Sequence, residues 1–322
     1  MGFTMNSTDI IPELDATTHK SLPYRVISPS VETTALEWVS KNRELFDITL
    51  MAHGAVLLRG FKKYEVSDFE RFIQETSGNL LSYRNRSTPR SMISGRIYTS
   101  TEYPADQTIP QHNENSYTHE WPKRLFFSCM TAPQAGGQTP ISDSRNILKR
   151  LPSNIIEKFE QYGVLYLRTF TKGLGLTWQE TFQMTDRIQM QKYCNKNNIF
   201  FDWLGDGRLR IRQVLQATNL HPTTGEKVWF NQAHLFHSNS LPQEIKEELG
   251  KNVPQDEMPR NAFYGNGDVI DDDTLACIRQ AYDAEERVFD WQEGDLLIID
   301  NLLVAHGRKP FTGPRQIIVG MT

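Results

Sequence analysis

A mainly β domain with helical insertions is the fold class that this sequence predicts, on two observations. From Arg96 onward, short segments rich in aromatic and β-branched residues are separated by Pro, Gly and Asn, the punctuation of an antiparallel sandwich or barrel. Within that texture, helical periodicity returns in blocks at residues 143–151, 153–162 and 177–193, so the β framework carries a helical insertion at about 143–205.

Taken in order, residues 1–20 lack sustained periodicity and are expected to form a loose lead-in to a single domain over 21–322. Apolar residues recur at mixed helical spacing over 35–53. Ala55-Val56-Leu57-Leu58 then reads as a short buried strand closed by Gly60. Ser67-Asp68-Phe69-Glu70 is a capping box for a helix with Gly78 as its stop. Residues 125–130 have strand character. Arg208-Leu209-Arg210-Ile211-Arg212 alternates charged and apolar side chains as a half-exposed strand does; its arginines either line a solvated face or meet an anionic substrate or carrier phosphate. Residues 240–249 and 272–288 are predicted helices, the first with Pro242 near its start and Gly250 past its end.

Composition narrows the function classes. Hydrophobic residues at 38% and charged ones at 23% are those of a globular protein. Against 39 Asp and Glu, 35 Lys and Arg give no basic excess, so no nucleic-acid partner is expected. Apolar runs such as Leu296-Leu297-Ile298-Ile299 are strand-sized, far below the roughly 18 residues that a membrane span needs. The first 16 residues are polar and include Asp9, Glu13 and Asp15, unlike a signal peptide, which makes the cytoplasm the expected location and leaves no membrane partner. Cys129, Cys194 and Cys277 are odd in number and widely spaced, as reduced thiols are.

The chemistry concentrates in three places. Gln111-His112-Asn113-Glu114 sets an imidazole and a carboxylate two residues apart, on one side of an extended segment. With eight histidines in the chain, such a pair also arises by chance. A third ligand is available in His306, which follows Asp300-Asn301 after the Leu296 to Ile299 run; a packed core histidine is the competing reading. Two histidines and one carboxylate on one face of an ion leave the opposite face open, as in non-haem Fe(II) oxygenases, and zinc with the same set is the chemical competitor. A 2-oxoglutarate co-substrate needs a cation for its distal carboxylate, and Arg315, nine residues after His306, can be returned to the site by a strand at 316–319. Gly136-Gly137-Gln138-Thr139 offers a hydroxyl for the same carboxylate, although Gly-Gly-x-Thr is ordinarily a turn.

Together, His112-x-Glu114, Gly136-Gly137-Gln138-Thr139-x-x-x-Asp143, Asp300-Asn301, His306 and Arg315 resemble the taurine dioxygenase (TauD/TfdA) family in order and spacing, over residues 55–322. The resemblance implies a double-stranded β-helix, the cupin-like jelly roll. It further implies iron at the mouth of the barrel on His112, Glu114 and His306, 2-oxoglutarate on Thr139 and Arg315, and consumption of O₂ with release of succinate and CO₂. A finer likeness is to the syringomycin-type hydroxylases of nonribosomal peptide pathways. It is carried by Gln111-His112-Asn113-Glu114-x-Ser116-Tyr117, by His221-Pro222-x-Thr224-Gly225-Glu226-x-Val228-Trp229-Phe230-Asn231-Gln232, and by His306-Gly307-Arg308-x-Pro310-Phe311. That likeness implies hydroxylation of an amino acid, free or carrier-bound, with desaturation, cyclisation or epoxidation as alternative endings. Asn115, Asn231 and Arg308 are the candidate substrate contacts. Many members have Asp where this chain has Glu114. Related halogenases have Gly or Ala there, so Glu114 argues for hydroxylation. Arg315 lies closer to the distal histidine than its counterpart in taurine dioxygenase, which keeps Arg308 open as the oxoacid clamp. A zinc hydrolase and a non-enzymatic binding jelly roll are the readings from other classes. His234 and His237, predicted on opposite sides of a strand, are read as structural or substrate-facing.

Overall fold

The run Ala55-Val56-Leu57-Leu58 forms the strand Ala55–Arg59, and Leu296-Leu297-Ile298-Ile299 forms its antiparallel neighbour Leu296–Asp300. A sheet with one face in water would alternate apolar and polar residues. These strands do not alternate because both of their faces are covered. Leu57, Leu125, Phe127, Leu297 and Ile299 fill the interior on one side, while Val56, Leu58, Phe126, Leu296 and Ile298 meet Phe46, Leu50, Phe69 and Phe72 of the N-terminal helices on the other.

The computed structural model describes residues 21–82, 91–100, 103–173, 175–241, 243–249 and 254–322; the lead-in expected at 1–20, Pro242 and Gly250 lie outside them. Its main sheet has the strand order Tyr24–Ile27, Ala55–Arg59, Leu296–Asp300, Arg124–Thr131, Gln316–Met321, Ile97–Thr99, Met92–Ser94. The first pair is parallel and the others antiparallel. A second sheet joins Ile109–His112, Val304–Arg308 and Ile141–Asp143. The turn 301–303 carries the chain from the main sheet into the second, so Asn301 and His306 sit where the two sheets of the jelly roll meet.

Several predicted boundaries move. Residues 35–53 are two helices, Ala35–Lys41 and Arg43–His53. The helix Val66–Ser77 is boxed by Glu65 and Asp68 rather than by Ser67 and Glu70, and ends at Gly78 as predicted. The helix predicted at 177–193 is broken into Trp178–Phe182 and Arg187–Lys196, because Gln183 adopts a left-handed backbone (φ 53°) and Asp186 caps a new start. Region 143–205 also contains strands, Val164–Phe170 and Phe200–Trp203. These join Leu209–Leu215 and Arg260–Tyr264 in a four-stranded sheet. In the arginine stripe the apolar positions are buried, and Arg210 and Arg212 pair with Asp256 (3.3 Å) and Asp202 (2.8 Å), a solvated strand face. The 240–249 helix is a 3₁₀ turn at Ser238–Ser240 followed by Gln243–Leu249, and the 272–288 helix is Asp272–Glu285. No helix among the described residues is long and apolar enough to cross a membrane.

Candidate active site

His112 ends the strand Ile109–His112, and Glu114 lies just past it, where the chain begins to turn. His306 stands directly opposite His112 in the antiparallel register with Val304–Arg308, and the two imidazole centroids are 4.7 Å apart. Gly307 permits this closeness: a Cβ there would lie 2.5 Å from the Ile109 carbonyl oxygen. Nε2 of His306 is 4.0 Å from Oε2 of Glu114, and one donor atom from each of the three residues falls within 4.8 Å of the others. Glu114 and His306 are buried while His112 is partly exposed, so the cluster opens on the His112 side. Two nitrogen donors and one carboxylate in such a cluster suit ferrous iron.

The supports of these side chains are specific. His112 Nδ1 lies 2.8 Å from the Pro110 carbonyl, which can only accept; Nδ1 therefore carries the proton and Nε2 keeps its lone pair for a metal. Asn301, fully buried, accepts from the Glu114 amide through Oδ1 (2.7 Å) and donates through Nδ2 to the Glu114 and Pro122 carbonyls (2.9 Å each). Asn113 Nδ2 donates to the Asn301 carbonyl (2.7 Å) and to Ser144 Oγ (3.1 Å). Gln232 Nε2 donates to the Asn113 carbonyl (2.7 Å), and His234 Nε2 to the Gln111 carbonyl (3.1 Å). Asp300 accepts from the Leu302 and Leu303 amides and from His221 Nε2 (3.2 Å), tying the 301–303 turn to the 221–224 turn.

A cavity reaches inward from the triad and is lined by His112, Phe127, Thr139, His306, Arg308 and Arg315. Arg315 donates from Nε to the Gly137 carbonyl (3.1 Å) and from Nη1 to Ser100 Oγ (3.3 Å), and no carboxylate among the described residues is paired with it. Burial, reinforced by neighbouring Arg308, brings its pKa down to about 10, which still leaves it charged at neutral pH. Thr139 Oγ1 accepts from Trp291 Nε1 (3.1 Å), so its own hydrogen is available to an anion in the cavity. Gly136 and Gly137 are required here by their left-handed backbones, and a Cβ on Gly136 would lie 2.2 Å from the Pro310 carbonyl oxygen.

Arg308 also borders this cavity, yet its guanidinium is spent on neutral partners, the carbonyls of Tyr103 (2.9 Å), Pro104 (2.5 Å) and Gln107 (2.8 Å). It holds the 103–107 segment against the site, which favours Arg315 over Arg308 as the clamp. Asn231 differs from its expected substrate role: Nδ2 donates to Ala217 O (2.8 Å) and Oδ1 accepts from Ala233 N (3.0 Å), so its amide holds a turn. Asn115, left-handed at φ 55° and buried, lines a different cleft with Trp121 and Tyr193. His234 is in a short helix, Ala233–Phe236, that His237 caps, rather than across a strand from it. Sequence reasoning missed Gln232 as a support, since nothing local links it to a carbonyl 119 residues away, while His234, read as structural or substrate-facing, supports the Gln111 carbonyl.

A jelly roll with two histidines and a carboxylate at its mouth, and an uncompensated arginine beyond them, is the arrangement of a non-haem iron oxygenase. The sequence model of the Taurine catabolism dioxygenase TauD, TfdA family matches residues 25–322, and the chain belongs to this family of iron- and 2-oxoglutarate-dependent dioxygenases. The zinc-hydrolase and non-enzymatic readings are thereby set aside. Among its relatives, the dapdiamide synthesis protein DdaC of Enterobacter agglomerans is 38% identical over 98% of this chain and 94% of its own length. A clavaminate synthase-like protein of Arabidopsis thaliana is 27% identical over 94% of each. Of solved structures, PvcB of Pseudomonas aeruginosa shares the fold, with a TM-score of 0.56 at 15% identity over 92% of this chain and 84% of that one.

Proposed function

We propose that the chain hydroxylates an amino-acid-like small molecule, free or carrier-bound, in a secondary-metabolite pathway, with iron on His112, Glu114 and His306 and the distal carboxylate of 2-oxoglutarate on Arg315 and Thr139. The observation that supports the site assignment is the shared cavity: His112 and His306 line it together with Arg315, a partly buried guanidinium lacking a carboxylate partner among the described residues, and a donor atom of Glu114 lies within 4.8 Å of one from each histidine. Iron when bound supplies the activation of O₂ that is coupled to oxidative decarboxylation of 2-oxoglutarate. The chain's own task is placement. The Pro110 carbonyl holds the His112 ring by Nδ1 and leaves Nε2 for a metal, Asn301 holds the Glu114 backbone, and Arg315 offers a charged fork to the same cavity. Phe127 and Ile317 form apolar walls that exclude water from the space between. Glu114 supports hydroxylation over halogenation because it fills the third ligand position with a carboxylate. The dapdiamide synthesis role of the 38% identical relative supports the pathway class.

Anaerobic addition of Fe(II) and 2-oxoglutarate should produce a visible charge-transfer band. Screening free and carrier-bound amino acids should identify one that releases succinate in step with a hydroxylated product. Both signals should vanish in folded His112→Ala and His306→Ala proteins, and succinate release that survives in either sinks the ligand assignment.

A further inference from the structure

Arg315 lacks a carboxylate partner among the described residues, and so does a second guanidinium, that of Arg260. Arg260 begins the strand Arg260–Tyr264 directly opposite Arg168 of Val164–Phe170. Directly opposed residues project from the same face of a sheet. Tyr166, two positions before Arg168 and so on that face, has its ring against Tyr117 and Phe236. Arg168 lies over the Tyr117 ring at 5.6 Å, and Tyr117 is three residues past Glu114. Both arginines thus face the segment that carries the metal-ligand carboxylate.

Like charges opposed across a strand pair cost stability unless something compensates them. For Arg260 nothing among the described residues does: its Nε is shut off from solvent without a hydrogen-bond partner, and the charged or titratable groups that bear on it are Tyr103 and Arg168. Burial and the neighbouring Arg168 draw its pKa below the usual arginine range. Tyr103 connects this spot to the active site, because Arg308, which lines the cavity with His112 and His306, hydrogen-bonds the Tyr103 carbonyl and lies over its ring at 5.9 Å.

We propose that Arg260, flanked by Arg168, is a subsite for an oxyanion of the substrate, distinct from the Arg315 position that takes 2-oxoglutarate. The proposal rests on the preceding functional reading in one respect, that the co-substrate occupies Arg315. A guanidinium matches a carboxylate or a phosphate ester equally in charge. A free amino acid brings the carboxylate, whereas a carrier-bound one has it consumed as a thioester and brings the phosphodiester of the carrier's arm.

Thermal unfolding of the anaerobic Fe(II) and 2-oxoglutarate complex, in chloride, acetate or dimethyl phosphate at equal ionic strength, tests this on the wild type and on Arg260→Met. In chloride the variant should melt at or above the wild type, since a partly buried guanidinium whose Nε has no hydrogen-bond partner is gone. Acetate should raise the wild-type Tm by about 2 °C over chloride and leave the variant unmoved. A wild-type rise that is larger in dimethyl phosphate and absent in the variant supports the subsite with a carrier arm as its source. Equal anion responses in the two proteins, including none in either, overturn the proposal, as does a variant that melts several degrees lower in chloride. The charge-transfer band read on the same samples separates the outcomes: its absence from the wild type counts against the iron and 2-oxoglutarate site, not against Arg260.

Discussion

Asn301→Ala removes three hydrogen bonds from a fully buried amide and leaves the Glu114 N–H, the Glu114 carbonyl and the Pro122 carbonyl without partners. An unsatisfied buried polar group costs about 1–3 kcal/mol, and the space vacated between Asn and Ala admits a water that recovers part of it, so the loss is set at about 3 kcal/mol. At about 2 °C per kcal/mol for a chain of this size, the apo protein should melt roughly 6 °C lower. Stability is the smaller part of the prediction. Because those bonds fix the backbone that aims Glu114, Fe(II) affinity should fall about 10- to 100-fold, the range seen when outer supports of metal ligands are removed. The measurement is anaerobic Fe(II) or Co(II) titration at 10 °C, where the variant is still folded, beside thermal unfolding of the same preparation. Asn301→Asp is the sharper companion, since it keeps the acceptor for the Glu114 amide but turns an anionic oxygen on two carbonyls. It should bind metal no better than the alanine variant. A lower Tm with wild-type metal affinity would refute the reasoning, showing that Asn301 secures the turn without aiming the ligand.

Arg315→Ala should raise the 2-oxoglutarate requirement at least tenfold while Fe(II) affinity changes little, because its guanidinium lines the cavity without belonging to the donor cluster; unchanged 2-oxoglutarate affinity would move the role to Arg308. His234 is fully buried and desolvation pulls its pKa down to about 3. A histidine that stays neutral when folded but protonates near pH 6.5 when unfolded lets the unfolded chain bind more protons, so its contribution to stability is intact above pH 6.5 and is lost as pH falls towards 3. His234→Gln, which retains a donor for the Gln111 carbonyl, should therefore flatten the decline in unfolding free energy between pH 6 and pH 4 by about 1 kcal/mol per pH unit. Parallel pH profiles for the two proteins would show that His234 takes up its proton without unfolding.

The strand-forming runs and the cluster of His112, Glu114 and His306 could be read from the chain because each announces itself in the sequence. Ala55-Val56-Leu57-Leu58 and Leu296-Leu297-Ile298-Ile299 are too apolar to face water, and His112-x-Glu114, Thr139, His306 and Arg315 follow one another in a recognisable order. What escaped depends on contacts between distant segments. Gln183 turns left-handed inside an apparently continuous helix, which no periodicity reveals. Glu65 rather than Ser67 starts the helix Val66–Ser77, although both positions precede an acidic residue by three. Asn231 and Gln232 are neighbouring amides of equal promise. One closes its own turn and the other reaches the Asn113 carbonyl, a distinction set by tertiary placement alone.

The role of Gln232 and His234 follows from where the ligand strand sits. Ile109–His112 is the outer strand of the three-stranded sheet, bonded to Val304–Arg308 on one edge only. An edge strand presents unpaired carbonyls and is free to drift, a poor property in the element that carries His112 and leads to Glu114. The carbonyls of Gln111 and Asn113 point to the open edge, and there a side-chain amide and a neutral imidazole take the place of a fourth strand. Because Gln232 precedes the short helix Ala233–Phe236 and His234 lies within it, its ring against Tyr282 at 4.6 Å, they are themselves held by the helical part of the molecule. The non-β portion of the chain is thus part of the scaffold of the proposed metal site, and its packing sets how firmly the carboxylate and imidazole are aimed.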